Sequence, residues 1–217
     1  LLIMPLSKSK FKTGLHCKNQ LFYSLFPNKY ANAKNEDPFL MQLAKGGFQV
    51  EALARAYYPE GKINTASFRE YKKSFDFTQK ELKVENTVIF EAGFLIDGYY
   101  ALSDIVVKNG NKLELIEVKA KSYHPQDEEE FTTKKGLIKP GWKDYLFDLA
   151  FQKELASRCF PTFEITAHLL LADKSKVASV SELNQKFRLP AGNGADVRRD
   201  LVKRYESAEQ LGVKILS

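Results

Sequence analysis

The segment from residue 103 to residue 119 constrains the fold most, because two alternating apolar runs flank a strong turn signal. Asn109-Gly110 is typical of a two-residue β-hairpin turn, in which both central residues need a positive φ. With the turn centred there, Asp104 on the first arm is expected opposite Leu115 on the second. The segment therefore predicts a β-hairpin that carries an aspartate among its apolar positions.

The second arm of this hairpin carries a Glu-x-Lys sequence, Glu117 and Lys119. Side chains alternate along a strand, so both are expected on the face that also carries Asp104. The pattern alone is weak, because charged residues make up 28% of the chain. However, Ile116 and Val118 alternate with the charged residues, which favours a central strand over a solvated edge.

A second turn signal, Asp97-Gly98, precedes the first arm. It predicts that Ile96 pairs with Tyr99 and that Glu91, further back, lies opposite Asp104. The sequence thus predicts a three-stranded meander with four ionisable side chains on one face. A one-residue shift of register would move part of this set to the other face.

Clustered carboxylates repel one another unless a cation lies among them, and a hard divalent cation with oxygen ligands is the usual solution. Mg²⁺ or Mn²⁺ between Asp104 and Glu117, with the carbonyl of Val118 nearby, fits this pattern. Lys119 would then orient or deprotonate the attacking water, or stabilise phosphate charge, which indicates phosphodiester hydrolysis. The alternative is a solvated polar face on which Lys119 forms surface ion pairs.

Four segments in this order resemble the PD-(D/E)XK nuclease superfamily in its RecB-like branch, namely 6–17, 47–59, 90–122 and 148–152. The resemblance implies a restriction-endonuclease-like α/β core, in which a mixed central sheet with an antiparallel meander is flanked by helices. It also implies a Mg²⁺- or Mn²⁺-dependent deoxyribonuclease that acts in DNA repair, recombination or defence.

Residue by residue, the resemblance implies roles for five side chains. Glu51, Asp104 and Glu117 would be metal ligands. Lys119 would be the catalytic lysine, and Gln152 an auxiliary catalytic contact. Glu91 matches a recurring family position whose role the resemblance leaves open.

The helical spacing around two of these residues allows a simpler interpretation. Glu51 and Arg55 lie four residues apart on a predicted helix, as do Asp148 and Gln152. Residues at this spacing are neighbours on a helix surface, so each pair is also consistent with ordinary surface polarity.

The chain departs from the RecB-like pattern in its cysteines. Many members of that branch hold an iron–sulfur cluster on four cysteines, whereas this chain has only Cys17 and Cys159. Four thiolates are the usual requirement, so an iron–sulfur cluster is not supported. We expect two reduced and mostly buried cysteines instead.

The chain has 217 residues, of which 44% are hydrophobic, enough for one sizeable core. We expect a single nuclease-like domain over 1–217, with an amino-terminal helical segment at 1–45, a catalytic core at 46–175 and a carboxy-terminal helical extension at 176–217. No signal peptide or membrane-spanning run is apparent, so a cytoplasmic location is expected.

Further elements follow from periodicity. Helices are predicted over about 7–26, 68–83 and 142–157, and a buried strand over 162–172. His168, in that strand, is expected to be a core histidine. The three histidines are too scattered for a zinc site.

The formal net charge of +6 favours a polyanionic partner. We expect DNA, at ends or as single strands, and a helicase or another protein is compatible as a further partner. The alternative is a catalytically silent nuclease-like domain that binds nucleic acid or a partner protein. Basic residues that are candidate phosphate contacts, or simply solvated, are Lys8, Lys10, Lys12, Lys72, Lys73, Lys134, Lys135, Arg198, Arg199, Lys203 and Arg204.

Overall fold

The computed structural model describes residues 4–31, 38–67, 69–126, 131–177 and 181. Its helices are α1 (Lys8–His16), α2 (Lys18–Ser24), α3 (Pro38–Arg55), α4 (Tyr71–Glu81) and α5 (Pro140–Cys159). Its strands are β1 (Leu6–Ser7), β2 (Lys62–Ile63), β3 (Asn86–Ile96), β4 (Tyr99–Asn109), β5 (Lys112–Tyr123) and β6 (Glu164–Asp173).

The strands form one mixed six-stranded sheet in the order β2-β3-β4-β5-β6, and β1 pairs with β4 outside this path. Strands β3, β4 and β5 form an antiparallel meander. The short strands β1 and β2 and the long strand β6 add parallel pairings. The predicted α/β class, the mixed sheet with its meander and the flanking helices are confirmed.

The two hairpin turns test the local turn signals. Asp97-Gly98 forms the first turn with positive φ at both residues, and Ile96 pairs with Tyr99 as predicted. The second prediction was wrong by one residue, because Asn109 pairs with Lys112 and the turn is centred on Gly110 and Asn111. The loop still has two residues, so centring it one residue later changes each cross-strand partner by two positions. Side chains alternate along a strand, so a shift of two positions leaves each side chain on its predicted face. If the observed pairing is continued one residue past Ile105 and Ile116, Asp104 lies opposite Glu117 and not opposite Leu115.

Two hydrophobic clusters lie on opposite faces of the sheet. Leu115 on β5 belongs to a cluster with Phe151 and Leu155 of α5. The next residue, Ile116, belongs to a second cluster with Ala54 of α3. The alternation along β5 therefore separates α5 from α3, and the sheet is held between helices.

The alternation along β3 breaks at Glu91. Ile89 and Ala92 belong to the same cluster although regular alternation would place them on opposite faces. Between them Glu91 has a φ of 58°, a left-handed value that is costly for a residue other than glycine. The side chain of Asn64 donates from Nδ2 to the Glu91 carbonyl at 3.0 Å, which helps to hold this conformation.

Other elements agree with prediction in type but differ in detail. The predicted first helix is two helices, since the chain is extended at Cys17. Strand β6 lies at the sheet edge, and His168 is exposed there, so the prediction of a core histidine is wrong. No helix in the described part of the chain has the length and apolar character needed to cross a membrane. The predicted carboxy-terminal extension lies outside the described residues, except for 176, 177 and 181.

Candidate functional site

A fork between β4 and β5 creates the principal pocket of the described structure. Pairing between these strands ends at Ile105 and Ile116, and nearer its start β4 pairs with β1 instead. Beyond the last pair, the backbone N–H of Val118 donates to Oδ2 of Asp104 at 2.8 Å, so a side chain replaces the missing strand partner. The fork opens into a pocket of about 1050 Å³, in which side chains from both faces of the sheet meet.

Three buried carboxylates form one group in this pocket, which we call the carboxylate triad. Glu51 comes from α3, Glu91 from β3 and Asp104 from β4, and ligand oxygens of the three lie within 4.8 Å of one another. Each side chain is less than a tenth exposed. The unusual backbone at Glu91 occurs at the residue that completes the triad, and strain of this kind is typical of functional sites.

Arg55 is the cation that pairs most closely with the triad. Its Nη2 atom hydrogen-bonds to Glu51 and, at 2.5 Å, to Glu91, while the guanidinium lies over the Phe90 ring. Its Nε and Nη1 atoms have no hydrogen-bond partner among the described residues. Arg55 thus pairs with two of the three carboxylates, and Lys119 interacts electrostatically with the third, Asp104.

The donor chemistry of the triad fits a hard divalent cation. Carboxylate oxygens are the ligands that Mg²⁺ and Mn²⁺ prefer, and the three side chains already converge within ligand spacing. The triad, in which Glu91 joins Glu51 and Asp104, is therefore the best candidate metal-binding group.

Glu117 forms a second and differently compensated group. The Nζ atom of Lys8 lies 2.8 and 2.9 Å from its two oxygens, Lys119 also donates to it, and Gln152 Nε2 donates at 2.6 Å. Burial raises the pKa of Glu117, but Lys8 and Lys119 outweigh this effect and hold the pKa at about 2. The carboxylate is thus ionised at neutral pH and has two cationic partners, which we call the lysine pair.

Lys119 links the two groups electrostatically. Burial lowers its pKa, but the charges of Glu117, Asp104 and Asp148 outweigh burial and raise it above the ordinary value. Lys119 therefore keeps its proton at neutral pH. Among the roles predicted for it, this favours stabilising negative charge over deprotonating water.

Helix α1 is held against α5 by a ladder of charges. Lys12 pairs with Asp148 at 2.9 Å, and His16 lies 2.9 Å from Asp144. Lys8, one turn before Lys12, reaches Glu117. The spacing of four residues on both helices aligns these contacts, so α1 delivers Lys8 into the pocket.

The predicted site residues all lie at the fork or beside it, but they divide into two groups. Asp104 and Glu51 belong to the triad, whereas Glu117 belongs with Gln152 and the lysine pair. Glu51 and Gln152 are buried, so neither belongs to an ordinary surface pair. Val118 lines the pocket and contributes its N–H to Asp104.

Two contributors were not identified as site residues by the sequence. Arg55 was considered only as a surface partner of Glu51, and Lys8 only as one of many basic residues. The spacing of Glu51 and Arg55 indicated their pairing, but nothing local indicated that it is buried. Lys8 lies 109 residues from Glu117 in the chain, so no motif joins them.

The cysteines take no part in this pocket. Cys17 is exposed at the junction of α1 and α2, which contradicts the expectation that it is buried. Cys159 is partly buried at the end of α5, where burial raises the pKa of its thiol to about 11. The two residues lie on separate elements, and neither lines the fork.

Comparisons of the chain with family models, curated proteins and solved structures give no significant match. The likeness to RecB-like nucleases therefore stays a prediction from sequence motifs. The chemistry of the pocket has to be inferred from its own geometry, namely buried carboxylates beside charged lysines.

Proposed function

We propose that the protein is a Mg²⁺- or Mn²⁺-dependent deoxyribonuclease with a restriction-endonuclease-like core of the RecB-like branch, acting in DNA repair, recombination or defence. The observation that carries this proposal is the buried triad beside the protonated Lys119 in one open pocket. Carboxylates suited to a cation and a cation suited to phosphate are the two requirements of metal-assisted phosphodiester hydrolysis.

The triad would hold the metal in this proposal, and Glu117 and the Val118 carbonyl would be further candidate ligands, since both residues line the same pocket. A bound divalent cation supplies a Lewis acid and lowers the pKa of water, which generates a nucleophile at neutral pH. Asp104 is already fixed by the Val118 N–H, so little reorganisation of this ligand is needed.

Side chains of the protein would stabilise the charge on the phosphate and position one another. Lys119, held charged by its acidic neighbours, stabilises negative charge that develops on the phosphate. Glu117 orients Lys119, and the buried amide of Gln152 fixes Glu117 in turn. Gln152 is thus a positioning residue, consistent with the auxiliary role that the resemblance implied.

A second candidate function is a silent nuclease-like domain that binds nucleic acid or a partner protein. The observation that favours it is that Arg55 and the lysine pair form ion pairs with carboxylates of both groups. A pocket that is compensated internally is stable without a cation, as a pure binding module requires.

A cleavage assay separates these two functions. Labelled linear and circular DNA are incubated with the protein, with and without Mg²⁺ or Mn²⁺. We expect cleavage only with metal, and a loss of about 100-fold or more in Asp104→Asn and Lys119→Ala. DNA affinity should stay nearly unchanged in Lys119→Ala, because many phosphate contacts contribute to it.

The matched control is Lys112→Ala. Lys112 lies on the same strand as Lys119 but is exposed beside the hairpin turn, so its removal should leave cleavage unchanged. Full activity in Lys119→Ala would show that the assigned lysine is wrong. No cleavage of any DNA by the parent with either metal would favour the silent domain.

A further inference from the structure

Glu117 has two cationic partners. Lys8 contacts both of its oxygens and Lys119 one of them, while the side chain of Glu117 is only 1% exposed. Among the described residues Lys8 forms an ion pair with Glu117 alone, whereas Lys119 also lies 3.7 Å from Asp148 and is influenced by Asp104. Lys8 is therefore the lysine whose charge is not shared with a second carboxylate.

Lys8 is the more exchangeable of the two lysines because it has a single carboxylate partner, whereas Lys119 also lies 3.7 Å from Asp148. If Lys8 left, Glu117 would keep Lys119 and the Gln152 amide as donors. Lys8 reaches the site from α1, and its side chain is 19% exposed. The Lys8 ammonium can therefore move from Glu117 to another anion. The buried carboxylate of Glu117 still has partners when it does so.

The surroundings of Lys8 favour an anion. Ser7, Lys8, Ser9 and Lys10 line the pocket, so the first turn of α1 faces it. The N-terminal end of a helix carries partial positive charge and backbone N–H groups that suit phosphate. The described segment 4–31 contains no acidic residue, and the carboxylates that line the pocket come from other elements.

We propose that Lys8 is a further catalytic residue, which together with Lys119 binds the non-bridging oxygens of the scissile phosphodiester. The inference rests on the proposed nuclease function and extends its site to α1. On substrate binding the Lys8 ammonium moves from Glu117 to a phosphate oxygen, and Glu117 remains paired with Lys119. Lys8 forms no covalent bond and transfers no proton; it neutralises charge.

Inorganic phosphate is the probe for this site, titrated by calorimetry into the metal-free protein. We expect Lys8→Met to weaken phosphate binding about tenfold, the effect of one charge-assisted hydrogen bond. Lys8→Arg, which keeps the charge, should retain most of the affinity. The matched control is Lys18→Met, because Lys18 lies on the adjacent α2, is exposed and does not line the pocket.

Phosphate affinity in Lys8→Met equal to that of the parent, or no phosphate binding by the parent, would overturn the proposal. Melting temperatures of each variant show whether it folds. Should Lys8→Met fail to fold, Lys8→Gln keeps a hydrogen-bond donor for Glu117 and provides the same comparison of affinities.

DNA cleavage provides the second readout. Lys8→Met should lower kcat about tenfold or more with a smaller change in KM, while Mn²⁺ affinity should not fall, since a competing cation is removed. If the parent cleaves DNA and Lys8→Met cleaves equally well, Lys8 is not catalytic and the proposed function stands. If phosphate binding depends on Lys8 but the parent cleaves nothing, the nuclease function fails, and the catalytic role of Lys8 with it.

Discussion

The carboxylate triad pairs with one arginine, Arg55, from the helix that carries Glu51, whereas Glu117 pairs with two lysines, Lys119 on its own strand and Lys8 from α1. Both groups bury carboxylates, which is costly unless cations and hydrogen bonds compensate. One guanidinium contacts two carboxylates of the triad, whereas two ammonium groups contact the single carboxylate of Glu117. In the proposed function, the first group would hold the metal cation and the second would contact the phosphate anion.

The largest effect on stability is expected from Arg55→Met. Without its guanidinium, Glu51 and Glu91 lose a buried ionic partner, and breaking a buried pair in this way costs about 3–5 kcal/mol. Mn²⁺ should restore much of this loss, because a divalent cation at the triad replaces the missing charge. Urea unfolding of parent and variant, with and without Mn²⁺, measures both effects. An equal loss under both conditions would contradict metal binding at the triad.

The second-largest effect is expected in the pH dependence of the unfolding free energy. The pKa of Glu117 is about 2 in the folded protein and near 4.5 ordinarily, which corresponds to about 3 kcal/mol of stability at neutral pH. Because the folded pKa is depressed, this contribution is present above about pH 4.5 and is lost as pH falls toward 2. Unfolding free energies measured across this range should fall more steeply for the parent than for Glu117→Gln. Parallel curves would show that the lysine pair does not hold Glu117 ionised.

The smallest effect is expected at an exposed ion pair outside both groups. Arg158 pairs with Asp97 at the surface, where both side chains are substantially exposed. Solvent screens such pairs, so Arg158→Met should change the unfolding free energy by about 0.5 kcal/mol or less. The same urea unfolding experiment measures it, and the variant is the arginine control for Arg55→Met. A loss comparable to that of Arg55→Met would mean that burial does not distinguish the two arginines.

The hairpins show how far local sequence signals reach. Asp97-Gly98 specified its turn correctly, since both residues tolerate a positive φ. Asn109-Gly110 was placed one residue too early, because Gly110 takes the first central position with a positive φ, as in a type II′ turn, and Asn111 takes the second without one. This error left each side chain on its predicted face of the sheet. The prediction that Asp104 lies near Glu117 and Lys119 therefore did not depend on the exact position of the turn.

The separation of the site into two groups was not predictable in the same way. It depends on the fork beyond Ile105 and Ile116 and on the left-handed backbone of Glu91. Neither has a local signal, because the conformation of Glu91 is maintained by contacts such as that of Asn64. The sequence accordingly left the role of Glu91 open, and the structure places it beside Glu51 and Asp104.

The sequence by itself determined the meander, the helices around it and the residues that carry ionisable groups into the sheet. Turn chemistry and side-chain alternation depend on neighbours in the chain, so they can be read without a structure. Only the tertiary structure decided that Arg55 is buried against the triad and that Lys8 reaches Glu117 across 109 residues. Charge compensation in a buried site depends on which distant groups the fold brings together and removes from water, and no local pattern encodes that.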